Sequence, residues 1–138
     1  MCNMLHKDKD YQPIPKTGEA WKLFGLSNTD CIPLAASGNY KKAKTGWIKW
    51  SHEVAGTTTY YTRKEKQLCG FCAFETLKEA RAAFNHLRKS GGAIFNRHNG
   101  QVVIKKVLYT KGIGMCTSTE LDSQPRRFVF FKRFKIVD

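Results

Sequence analysis

Hydrophobic alternation divides the 138-residue chain into short extended runs and one helix. Over residues 20–26, Trp21, Leu23 and Gly25 point one way and Lys22 with Phe24 the other, which predicts a first strand. Ser27-Asn28-Thr29-Asp30 reads as a turn into a short extended piece over 31–34. After the turn signal Gly38-Asn39, Trp47 and Lys49 alternate with Ile48 and Trp50, and the β-branched, aromatic run 57–63 completes an expected hairpin over the loop 51–56. The apolar run 68–74 leads into Thr76-Leu77-Lys78-Glu79, a capping box in which hydroxyl and carboxylate each satisfy an orphan backbone N–H. Leu77, Ala80, Phe84 and Leu87 then recur at helical spacing, predicting a helix over 77–89 that Gly91-Gly92 ends.

Asn99-Gly100 is a hairpin signal between 93–95 and a strand over 102–110. Gly112 and Gly114 are expected to break that strand, leaving the small, polar stretch 115–125 as a loop. The chain closes on 128–137, with Phe128, Phe130, Phe134 and Ile136 assigned to one face, Arg133 and Lys135 to the other, and Lys132 interrupting the apolar side. Residues 1–19, with Pro13, Pro15 and Gly18, read as an extended arm. No internal repeat is present. The expectation is a single α+β domain over 20–138: a mostly antiparallel, twisted sheet with one main helix packed on it.

Charge changes the picture from fold to partner. The chain carries 24 Lys and Arg against 11 Asp and Glu, a formal net charge of +13. Residues 1–39 are neutral in sum, whereas 40–66, 78–111 and 126–138 carry +5, +7 and +4. The basic remainder and the neutral first third are therefore expected to face different surroundings. No apolar run approaches the roughly 18 residues of a membrane span, and MCNMLHKDKD has no signal-peptide core. The reading is a soluble, cytoplasmic protein with no membrane partner, whose five cysteines are expected to be reduced thiols.

No complete catalytic motif, metal site or cofactor motif follows from the residues. Cys69-Gly70-Phe71-Cys72 sits inside an apolar run, not at the helix start that would activate a thiol, and no second pair offers zinc spacing. Of the four histidines none neighbours a recognisable nucleophile, and His86 follows the charged helix face, where it is expected to be solvated. Basic and aromatic residues interleave more informatively: Tyr40-Lys41-Lys42-x-Lys44 leads to Trp47-x-Lys49-Trp50, and Tyr60-Tyr61-x-Arg63-Lys64 follows. A groove that tracks phosphates and stacks bases needs this mixture. Lys41, Lys42, Lys44, Lys49, Arg63 and Lys64 are the candidate phosphate contacts, with Trp50 as a candidate stacking residue. The plain counterpart is aromatics in the core beneath a solubilising lysine face. Seventeen Lys against seven Arg argues against base-specific readout.

Met1-Cys2-Asn3 with Pro15-Lys16-Thr17-Gly18-x-x-Trp21-Lys22-Leu23-Phe24, the centre Gly70-Phe71-x-x-Phe74-x-Thr76-x-x-Glu79-Ala80 and the Phe-rich closing strand resemble small bacteriophage and prophage proteins with a "GF-x-x-F-x-T-x-x-EA" strand-to-helix turn. That resemblance implies a phage accessory protein acting on host machinery in a bacterial cell, for example as an inhibitor of a CRISPR nuclease. Joined to the basic–aromatic segments and the lack of a catalytic motif, it gives the expectation of a non-enzymatic protein meeting a nucleic acid or a host nucleoprotein such as a CRISPR effector. An acidic protein surface is the alternative partner. The element order is also loosely similar to ADP-ribosyltransferase-like enzymes, for which Cys116-Thr117-Ser118-Thr119-Glu120 gives a partial echo without the Q/E-x-E pattern.

Overall fold

The computed structural model describes residues 4–5, 12–28, 30–34, 40, 44–50, 68–90, 98, 101–118, 121 and 124–137. Its elements are β1 (Met4–Leu5), β2 (Gly18–Ser27), β3 (Asp30–Ile32), β4 (Trp47–Lys49), β5 (Leu68–Cys69), β6 (Phe71–Ala73), α1 (Leu77–Ser90), β7 (Val102–Ser118) and β8 (Arg126–Ile136). β1 and β5 pair separately, while the six-stranded sheet runs β3-β2-β7-β8-β4, with β6 beside β4 along the same edge of β8. Every pairing among the described strands is antiparallel. The described residues thus form a single α+β domain with a mostly antiparallel, curled sheet and one helix. No helix among the described residues is long and apolar enough to cross a membrane.

The curl closes on itself. Phe74, just beyond β6, exchanges both backbone hydrogen bonds with Trp21 of β2, at 2.7 and 2.9 Å. β2, β7, β8 and β6 therefore form a ring joined at one residue pair. Inside it lie Ala20, Phe24, Tyr40, Ile48, Phe71, Ala73, Val107, Tyr109, Val129, Phe131 and Phe134. Phe71 meets Phe134 edge-on at 4.8 Å, and Tyr109 stacks on Phe131 at 5.1 Å. Outside the seam, α1 packs Ala80, Ala83 and Leu87 onto Leu23, Cys72, Phe74, Cys116, Phe128 and Phe130. Thr76 Oγ1 accepts the Glu79 N–H at 3.2 Å, so the expected cap is present and the helix runs one residue beyond its expected end. Leu77 and Phe84 are only half-buried, because Ala83 takes the innermost place on the helix face.

Several expectations are corrected. Gly112 and Gly114 do not end a strand: β7 runs 17 residues to Ser118, and residues 115–118 pair with 126–129 of β8 instead of looping. The glycines absorb a register shift between Gly112 and Gly114, beside Lys111 at φ 54°. They also admit the N-terminal segment. Gly112 donates to the Lys16 carbonyl at 2.9 Å, Gln12 bridges Met115, and a Cβ on Gly112 would collide with the Pro15 carbonyl. The described part of the expected arm is therefore docked along β7, and β2 begins at Gly18, two residues early.

The face assignment of the last strand also shifts. Phe128 and Phe130 lie under the helix, whereas Phe134 and Ile136 pack with Phe131 inside the ring. The alternation slips around Lys132, opposite the irregularity in β7. Cys72 is disulfide-bonded, contrary to the expected reduced state, while Cys31 and Cys116 are thiols. His86 is half-buried, not solvated. The run 57–63, the strand 93–95, Gly91-Gly92 and Asn99-Gly100 lie outside the described residues, and β4 is paired with β8.

Candidate functional site

Among the described residues, α1 covers the seam and the opposite outer surface of the ring belongs to β7, β8 and β4. Strand register fixes which side chains share it. Lys49, Arg133 and Thr110 form one cross-strand row, and Trp47, Lys135, Leu108 and Glu19 form the next. Their inward neighbours Ile48, Phe134 and Tyr109 fill the ring, so these residues must point away from it. Gly46, at φ 84°, turns the chain into β4 directly before Trp47, in the left-handed region that suits glycine.

Trp47 and Arg133 are diagonal neighbours in these rows, and the guanidinium stacks 4.4 Å from the indole centroid. Stacking of this kind holds a planar cation in a fixed orientation. The Arg133 Nε and the Thr110 Oγ1, on directly opposed positions, are both shielded from solvent and without a hydrogen-bond partner. Among the described residues, no carboxylate lies within ion-pair distance of Lys49, Arg133 or Lys135. Glu19 instead pairs with Lys106 at 3.2 Å, at the margin where Lys106 also lies 5.8 Å from the Trp21 ring. Among the described residues, the surface thus presents cations without a carboxylate partner around an aromatic plane.

The sequence-derived candidates divide unevenly. Lys49 is exposed on this surface, and Lys44 is exposed in the turn that leads to it. Trp50 lies on the other side of β4, half-buried against the ring interior, with the exposed Lys132 ammonium 5.1 Å from its centroid. Lys41, Lys42, Arg63 and Lys64 lie outside the described residues. The outward aromatic of the 47–50 segment is Trp47. Sequence reasoning left Trp47, Arg133 and Lys135 out of the candidate set, although the alternation of the last strand already put Arg133 and Lys135 on one face. Missing was knowledge of where the helix docks.

The remaining chemistry-bearing residues are spread through the fold. Cys116 is buried beneath α1, and Glu120 lies outside the described residues, so the 116–120 echo assembles no site that can be described. His98 is buried, its Nε2–H donating to the Leu34 carbonyl at 2.6 Å, which is a structural role. No group of three or more metal-ligating side chains occurs among the described residues. One charged group is out of place. Lys22 is 1% exposed inside the ring, donating to the Cys72 carbonyl at 2.8 Å. Phe24, Phe71 and Phe134 surround its ammonium at 5.8, 5.9 and 6.0 Å. Burial lowers this amine from 10.5 to about 7.

Comparison with protein-family models, curated proteins and solved structures finds no match.

Proposed function

We propose that the chain is a non-enzymatic accessory protein that binds a nucleic acid, free or within a nucleoprotein, through the outer surface of β4, β8 and β7. The carrying observation is the set Lys49, Arg133 and Lys135, unneutralised among the described residues and gathered around Trp47. A polyanion releases counterions on meeting such a surface, so affinity must fall with salt. The resemblance to phage proteins, not the geometry, adds the role: blocking a host defence nuclease in the bacterial cytoplasm by occupying its nucleic acid or its nucleoprotein surface.

The test is binding to a mixed DNA and RNA pool as a function of salt. Lys49→Glu combined with Lys135→Glu removes two phosphate contacts. It should flatten the slope of log K against log salt by about 1.4 for a single strand or about 1.8 for a duplex. An unchanged slope would move the interface elsewhere. Binding no stronger than the non-specific range of about 10⁻⁴ to 10⁻⁶ M would overturn the nucleic-acid reading. The same cations would then face the carboxylates of an acidic protein partner.

A further inference from the structure

Resting on the nucleic-acid reading, we infer that the Trp47–Arg133 stack is a base-stacking platform, so that the preferred ligand is a single strand. Three observations converge on it. First, the cations and the aromatic lie on the face of a sheet, and among the described residues neither a helix nor a two-stranded ribbon projects from it. Reading a duplex through its major groove requires such a projection. Unpaired bases, by contrast, lie down on aromatic rings and on guanidinium planes.

Second, the Arg133 guanidinium carbon already lies over the indole, 4.4 Å from its centroid, so one more flat group extends a contact the protein has made. Third, Arg133 Nε and Thr110 Oγ1 are a buried N–H and hydroxyl that the protein leaves unpaired, side by side on opposed positions. A small turn of the Arg133 side chain toward the ligand brings them to an oxygen of a base edge or a phosphate, which removes the penalty of leaving them unmade. Lys49 and Lys135, directly opposite Arg133 and Trp47 and diagonal to one another across β4 and β8, supply phosphate contacts about 7–8 Å apart. Since none of these groups reads a base-pair pattern, the preference is for unpaired bases in general and not for a sequence.

The experiment compares three labelled probes by fluorescence anisotropy: a thymine oligonucleotide of about 12 nucleotides, an abasic strand with the same number of phosphates, and a duplex of the same length. The thymine strand should bind about 5- to 150-fold more tightly than the abasic strand, the range expected for stacking of one base, and more tightly than the duplex. Trp47→Ala should erase the preference for bases while leaving the salt slope unchanged, and Arg133→Lys should weaken it at constant charge. Equal binding of thymine and abasic strands would overturn the platform while leaving the polyanion reading intact. Tighter binding of the duplex would also overturn it, and would direct attention to the exposed Lys78, Arg81, Arg88 and Lys89 of α1. Failure to bind any probe would overturn both readings. If Trp47→Ala does not fold, the three-probe comparison on the unaltered protein still decides.

Discussion

Replacing Lys22 with methionine should make the protein more stable, and more so in mild acid than in mild base. Methionine keeps the length of the stem within the aromatic ring interior and removes the charge. The unfolded chain titrates this amine near 10.5 and the folded one near 7. Below about pH 7 both states are protonated, and the folded state carries the full penalty, about 5 kcal/mol. Between about pH 7 and pH 10.5 the unfolded state holds more protons, so stability rises with pH across that window. Against the gain stands the Cys72 carbonyl, which loses its donor at a cost of about 1–3 kcal/mol. The net expectation for Lys22→Met is a stabilisation of about 2–4 kcal/mol near pH 6, and the unaltered protein should recover about 2–3 kcal/mol of that by about pH 9.

Tyr40 and Tyr109 do not obscure this window. Burial raises both phenols, with the nearby Glu75 carboxylate adding to the effect at Tyr109, so they reduce stability only above about pH 10. Urea unfolding of both proteins across this pH range, with the slope against denaturant unchanged, gives the difference directly. A variant less stable near pH 6, or a difference that does not vary with pH, would refute the account of Lys22 as a buried, destabilising amine.

Two further substitutions test the packing. Gly112→Ala places a methyl against the Pro15 carbonyl and should cost about 1–3 kcal/mol by overpacking; an unchanged thermal midpoint would show that residues 12–16 do not dock along β7. Leu87→Ala, at a position 3% exposed, should cost about 2–5 kcal/mol, whereas Phe84→Ala should cost less because that ring is half-buried. Calorimetric melting showing the reverse order would invert the assigned helix face.

The helix and its Thr76 cap were legible because their signals are local: a hydroxyl three residues before a carboxylate, and an apolar period of three and four. Strand β2 was legible as a strand but not as one buried on both sides, since Lys22 marks its inner face as polar. Only the ring closed by Trp21 and Phe74, 53 positions apart, puts that face out of water. Gly112 and Gly114 looked like terminators for a comparable reason. A glycine that ends a strand and a glycine that lets a second chain segment pass close by are identical in sequence, and only the approach of Pro15 separates them. The site was half visible. Alternation showed which side of each strand carried Trp47, Lys49, Arg133 and Lys135, but which face of the ring α1 packs against depended on its docking at the seam.

That seam also governs time. Lys22 adjoins Trp21 in sequence and hydrogen-bonds two residues before Phe74, so the two backbone hydrogen bonds that close the ring flank the buried amine. Lys22 is 1% exposed, so a proton from solvent reaches the amine only when the enclosure parts, and the clasp, held by a single residue pair, is one place where it can. The charge state of Lys22 is therefore tied to breathing of the fold: after a sudden change of acidity the interior keeps its former charge until the enclosure next opens.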